Sequence, residues 1–209
     1  MTIKLYYSPG ACSLASHIAL EEVGIAYETQ RIRTAEGEQR SPEYLAINPR
    51  GRVPALVVDG KVMTENVGIM AYVAGGYGQG KIWPKDTWQQ AKCIATMAWL
   101  SNTVHPSFAR FFRTERYIEG AEHVQALKDR ALSDYNDCLA EIDRLLDGRR
   151  WSIGNRYSVV DGYLVVFYRW GNRAKLPMAS FANYTRVIHQ VAERAAVKKV
   201  LADEGITLS

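Results

Sequence analysis

Cysteine is scarce in this 209-residue chain: there are three, at positions 12, 93 and 138, with no CxxC spacing. So odd and scattered a set suggests neither a disulfide framework nor paired zinc ligands, and we expect a reduced compartment and no metal. Long apolar runs are missing too. No stretch reaches the roughly 18 residues that span a bilayer, and Lys4 and Ser8-Pro9-Gly10 interrupt the N-terminus where a secretory leader stays apolar. We expect a cytoplasmic protein without membrane contact. Charge of one sign is also lacking. Lys and Arg number 26 against 22 Asp and Glu, and the one basic cluster, Arg110, Arg113 and Arg116, is balanced by Glu115 and Glu119. Nucleic-acid modules use a basic stripe with stacking aromatics, so nucleic acid is not an expected partner.

What is present begins with a strand, a turn and a helix. Ile3–Tyr7 is a short β-prone run, Ser8-Pro9-Gly10 signals a turn, and Leu14, Ala15, Ile18 and Ala19 recur at helical spacing up to Gly24. A second strand is expected over 27–33, so a right-handed crossover makes the pair parallel. Ser41-Pro42 opens a short helix that stops at Asn48-Pro49-Arg50-Gly51, and Asp59-Gly60 turns a hairpin between 55–58 and 61–64. A further helix over 65–74 meets Gly75-Gly76. Four glycines within 75–80 mark a boundary between an α/β domain, 1–80, and an all-α domain, 86–209. In the second, Asp86 opens a helix through about 103 that Pro106 ends or kinks, and Ser158-Val-Val-Asp161 reads as a capping box before an apolar run over 163–168. Cys93 and Cys138 read as core. His17, His123 and His189 read as packing or surface residues.

Three places carry chemistry. Cys12 sits between turn and helix, where free N–H groups and the helix dipole favour thiolate over thiol; its alternative is a small buried hydrophobe. The residue three positions on is Ala15, so no second thiol resolves a mixed disulfide, and a redox cycle needs an external thiol such as glutathione. Arg52-Val53-Pro54 enters a strand from a loop. A cis Pro54 turns the Val53 backbone outward for a peptide-like ligand, whereas a trans one simply starts an edge strand. Thr64-Glu65-Asn66 lies at a helix start, either as a plain cap or as a holder of carboxylate and ammonium groups.

Together these residues resemble a family. LYYSPGACSLASHIALEE, LAINPRGRVPAL and MTENVGIMAYV are similar to segments of cytosolic glutathione transferases, most of all the bacterial beta class, and the helical part matches more loosely through His105-Pro106 and the 158–161 cap. The resemblance implies a thioredoxin-like N-terminal domain that binds glutathione, an all-helical domain with a pocket for a small apolar electrophile, and a homodimer working in detoxification. Carried over by position, Cys12 meets the glutathione sulfur, Ser13 hydrogen-bonds a thiolate, Val53 pairs with the cysteinyl backbone beside a cis Pro54, Glu65 and Asn66 hold the γ-glutamyl end, and His105 reaches toward the sulfur. The loop over 34–37 lacks the lysine common in the family, which leaves Arg52 or Arg33 to take its place, and Ser101 or Asn102 to supply a polar group before His105. The implied reaction is conjugation of the glutathione thiolate to an electrophile. Its alternatives are disulfide exchange or dehalogenation through Cys12, and a non-catalytic dimeric interaction module. Trp88, Trp99, Phe108, Phe111, Phe112 and Trp170 divide between core and substrate pocket.

Overall fold

The computed structural model describes residues 1–208. It opens with β1 (Ile3–Tyr7), α1 (Ser13–Val23), β2 (Glu28–Arg31), α2 (Pro42–Ile47), β3 (Ala55–Val58), β4 (Lys61–Thr64) and α3 (Asn66–Tyr77). The sheet order is β2-β1-β3-β4, with β1 and β2 parallel and both other pairs antiparallel. This is the expected thioredoxin-like unit. The hairpin closes where expected, with Asp59 at φ 47° and Gly60 at φ 77°, the left-handed pair that matches strand twist. β2 is exposed at all four residues, as suits an edge.

Six α-helices follow among the described residues: α4 (Thr87–Trp99), α5 (His105–Phe112), α6 (Ala121–Leu145), α7 (Val159–Arg173), α8 (Ala182–Ala192) and α9 (Ala195–Glu204). α7 is the buried centre, with Val160, Tyr163, Val165 and Phe167 fully enclosed. Its start is held by Asp161, whose carboxylate accepts from the N–H groups of Ser158 and Ser152 at 2.7 Å each, the first closing the cap and the second tying the preceding loop to the helix. α1 packs against β1, α3, α7 and α9, so even its polar residues Ser13, Ser16 and His17 are buried. Gly162 makes that approach possible: a Cβ there lies only 3.0 Å from both Ile18 and the Tyr157 hydroxyl.

Two element boundaries differ from expectation. α3 continues through Gly75 and Gly76 to Tyr77, because Gly75 lies against the indole of Trp83 and the packing compensates for poor helix propensity. α4 stops at Trp99, and Leu100–Val104 forms a π-helical turn running straight into α5. Pro106 has no N–H to give and clashes with an ordinary helical turn before it; the wider turn absorbs both, so the chain neither ends nor breaks there.

Candidate active site

The loop between β1 and α1 is clamped from several directions. Ser8 N–H donates to the Ser13 hydroxyl at 3.1 Å, and that hydroxyl donates back to the Ser8 carbonyl at 3.2 Å. Gly10, at φ 65°, donates to Glu204 Oε2 at 2.8 Å and accepts from Trp170 Nε1 at 3.0 Å. Glu204 Oε1 is 2.9 Å from His17 Nδ1, and both side chains are buried. The turn that presents Cys12 is therefore fixed by residues from α7 and α9.

Cys12 lies in the floor of a cleft shared with Val53, Pro54, Glu65, Asn66 and His105. Its sulfur is 3.5 Å from the Val53 carbonyl, and the Val53–Pro54 bond is cis. The Asn66 side chain is buried, donating to the Cys12 carbonyl at 2.9 Å and accepting from Ser16 at 2.6 Å. Glu65 is exposed, has no ion-pair partner among the described residues, and sits at φ 71°, a sparsely populated conformation for a side chain this long. Arg52 also lines the cleft; its carbonyl is held by Tyr44 Oη at 2.7 Å and Asn48 Nδ2 at 2.6 Å. Arg33, the other candidate for the missing lysine, is engaged with Glu36 and Glu38 on the surface. Ser101 reaches the cleft; Asn102 is exposed.

Two expectations change. The Ser13 hydroxyl is fully buried and closes the turn on Ser8, so the side chain is turned away from the cleft; only its N–H favours a Cys12 thiolate. The Cys12 thiol is pushed up to about 11 by burial, against the pull of the Asn66 amide and the N–H groups of Cys12 and Ser13. Desolvation outweighs the helix start. Among the aromatic residues, Phe108 and Trp170 stack at 4.5 Å inside the core, and Trp88 is 70% exposed. Pro106, Ala109 and Tyr117 line that wall of the cleft.

His105 lies edge-on to Trp170 with ring centroids 5.0 Å apart. Burial and then the Arg52 charge lower its pKa to about 4. At neutral pH it is an uncharged imidazole, able to donate or accept one hydrogen bond but supplying no positive charge. The unfolded chain takes up this proton near 6.5 and the folded one near 4, so His105 adds stability above pH 6.5 that is lost as the pH falls toward 4. In an NMR titration its ring signals are expected to move with a midpoint near 4; a midpoint near 6.5 contradicts this.

Tyr163 belongs by sequence to a buried apolar run, yet it lines the cleft. A signal existed: a tyrosine in an otherwise apolar run has a hydroxyl that must find a partner.

Residues 1–75 match the family model for the N-terminal domain of glutathione S-transferases. The chain is 31% identical to the glutathione S-transferase GstA of Escherichia coli O157:H7, covering 98% of this chain and all of that one. A solved glutathione transferase homologue from Sulfitobacter with bound glutathione superposes with a TM-score of 0.91 at 29% identity, covering 99% of both chains. The beta-class glutathione S-transferase of Sphingomonas chungbukensis superposes at 0.85 with 30% identity, covering 98% of this chain and all of that one. With the sheet order, the cis proline and the cleft beside Cys12, this full-length similarity establishes that the chain belongs to the glutathione S-transferase family of transferase enzymes.

Proposed function

We propose that the cleft binds glutathione and that the protein conjugates its thiolate to small apolar electrophiles. The observation that carries this reading is the arrangement of three chemically distinct groups in one cleft: the sulfur of Cys12, the backbone of Val53 and the unpaired carboxylate of Glu65 beside a helix start. They complement the thiol, the central amide and the charged γ-glutamyl end of one tripeptide. The Val53 N–H has no acceptor among the described residues, which supports its pairing with the cysteinyl carbonyl. Arg52 supports binding of a ligand carboxylate, and the buried Asn66 amide steadies the site from below. In this reading residues 1–80 hold glutathione, residues 86–209 supply the electrophile pocket, and neutral His105 orients the sulfur or substrate.

The test is calorimetric titration with glutathione, followed by an aryl halide conjugation assay. Glu65→Gln is expected to weaken glutathione about tenfold, roughly 1.4 kcal/mol, because it removes a charged acceptor without changing shape. No measurable binding by the unmodified protein overturns the reading.

A second reaction is favoured by one observation, the placement of the Cys12 sulfur in the cleft itself. It is disulfide exchange through a Cys12–glutathione mixed disulfide. Both reactions suit a reducing cytoplasm, and Cys12, Cys93 and Cys138 are all free thiols. A homodimer belongs to the same reading, supported by exposed Val62 on edge strand β4 and exposed Trp88 and Ile94 on α4.

A further inference from the structure

The hydroxyl of Tyr163 is a buried polar group left without a hydrogen-bond partner among the described residues. Its residue is 0% exposed, on the buried helix α7, and it lines the same cleft as Cys12 and Asn66. Two neighbouring tyrosines of this core solve the same problem conventionally, Tyr135 donating to the Phe167 carbonyl and Tyr184 to the Leu164 carbonyl, each at 2.6 Å, and Tyr157, whose hydroxyl is also unpartnered among the described residues, does not line the cleft. Tyr163 makes neither bond. Ser101 and Asn66 lie close enough to ease its ionisation, but neither completes a hydrogen bond with it, and both polar ends of the Asn66 amide are engaged by Ser16 and Cys12. Leaving such a group unpaired is costly, and at the floor of a reactive cleft it marks a donor held ready for a charge that appears during reaction.

We propose that Tyr163 is a further catalytic residue whose phenolic O–H donates a hydrogen bond to the Cys12 sulfur when that sulfur becomes a thiolate. The assignment rests on the second reaction above, in which Cys12 forms a mixed disulfide. There, a glutathione thiolate attacks the glutathione-side sulfur of the Cys12–glutathione disulfide. A new S–S bond forms in oxidised glutathione, the old one breaks, and Cys12 leaves with the electron pair as a thiolate. The Tyr163 O–H stabilises that leaving group. The Cys12 thiolate then attacks the glutathione-side sulfur of the next low-molecular-weight glutathione mixed disulfide, the Cys12–glutathione disulfide re-forms, and the expelled thiolate takes a proton from water. Burial together with the charge of a Cys12 thiolate pushes the phenol far up, so Tyr163 stays protonated and acts as a donor throughout.

Alkylation of Cys12 by iodoacetamide tests this without glutathione, so its outcome is independent of whether the protein binds or turns over glutathione. The rate is followed on the Cys12 peptide by mass spectrometry between about pH 7 and 9, in the unmodified protein and in Tyr163→Phe. Losing the donor by one pKa unit lowers the thiolate fraction tenfold, and the greater nucleophilicity of the more basic thiolate returns about threefold, so a net slowing of about threefold is expected. The melting temperature of Tyr163→Phe is expected to stay equal or rise, since only an unpaired buried hydroxyl is removed. An unchanged alkylation rate at every pH overturns the proposal, as does slowing accompanied by a lower melting temperature, which marks a merely structural role.

Discussion

Cys12→Ala is expected to reduce glutathione-dependent disulfide exchange to the uncatalysed rate while leaving aryl halide conjugation within about tenfold of the unmodified protein. The two reactions place different demands on this sulfur. In exchange it is the atom that bonds to glutathione, and Ala15 stands where a resolving thiol would be, so nothing replaces it. In conjugation the nucleophile is the sulfur of glutathione, and Cys12 is a neighbour. With its thiol pushed up to about 11, Cys12 is ionised only to about one part in ten thousand at pH 7, so its deletion removes little negative charge from the site. A tenfold limit corresponds to about 1.4 kcal/mol of transition-state stabilisation. Both assays on one preparation decide the matter: equal loss of both activities makes Cys12 essential to conjugation, and survival of exchange removes it from that reaction.

Glu204→Ala is expected to cost about 3 kcal/mol of folding stability and to loosen the active-site loop. The carboxylate is fully buried and makes two contacts across the fold, one to His17 in α1 and one to the Gly10 N–H. Removing it strands both partners in the core, and each buried donor left unsatisfied costs about 1–3 kcal/mol. For a chain of this size that is roughly 6–12 °C in melting temperature. Since Gly10 is two residues from Cys12, the variant should also bind glutathione more weakly at temperatures where it remains folded. Glu204→Gln keeps an acceptor for Gly10 and should recover part of the loss. Calorimetric melting of the three proteins tests the clamp; equal melting temperatures dismiss it.

The N-terminal unit was readable because its signals are local. A β-prone run, Ser8-Pro9-Gly10 and the Asp59-Gly60 turn each act through the backbone preferences of a few adjacent residues, and their outcome survives packing. The Asp161 cap was readable for the same reason. The cleft was readable in part: Cys12, Val53, Pro54, Glu65, Asn66 and His105 do converge, because strand ends and helix starts gather at one edge of the sheet.

Orientation and acidity were not readable. That the Ser13 hydroxyl closes a turn, that Pro106 is carried by a π-helical turn, and that Asn66 faces inward depend on which donors and acceptors happen to be nearest once the chain is folded. Glu204 and Tyr163 reach the loop and the cleft from 192 and 151 residues beyond Cys12, distances at which no local pattern speaks. The sequence by itself determined the order of the elements and the chemical types at the cleft. The tertiary structure alone decided that burial overrides the helix start at Cys12, because desolvation depends on everything packed around a sulfur and not on its neighbours in the chain.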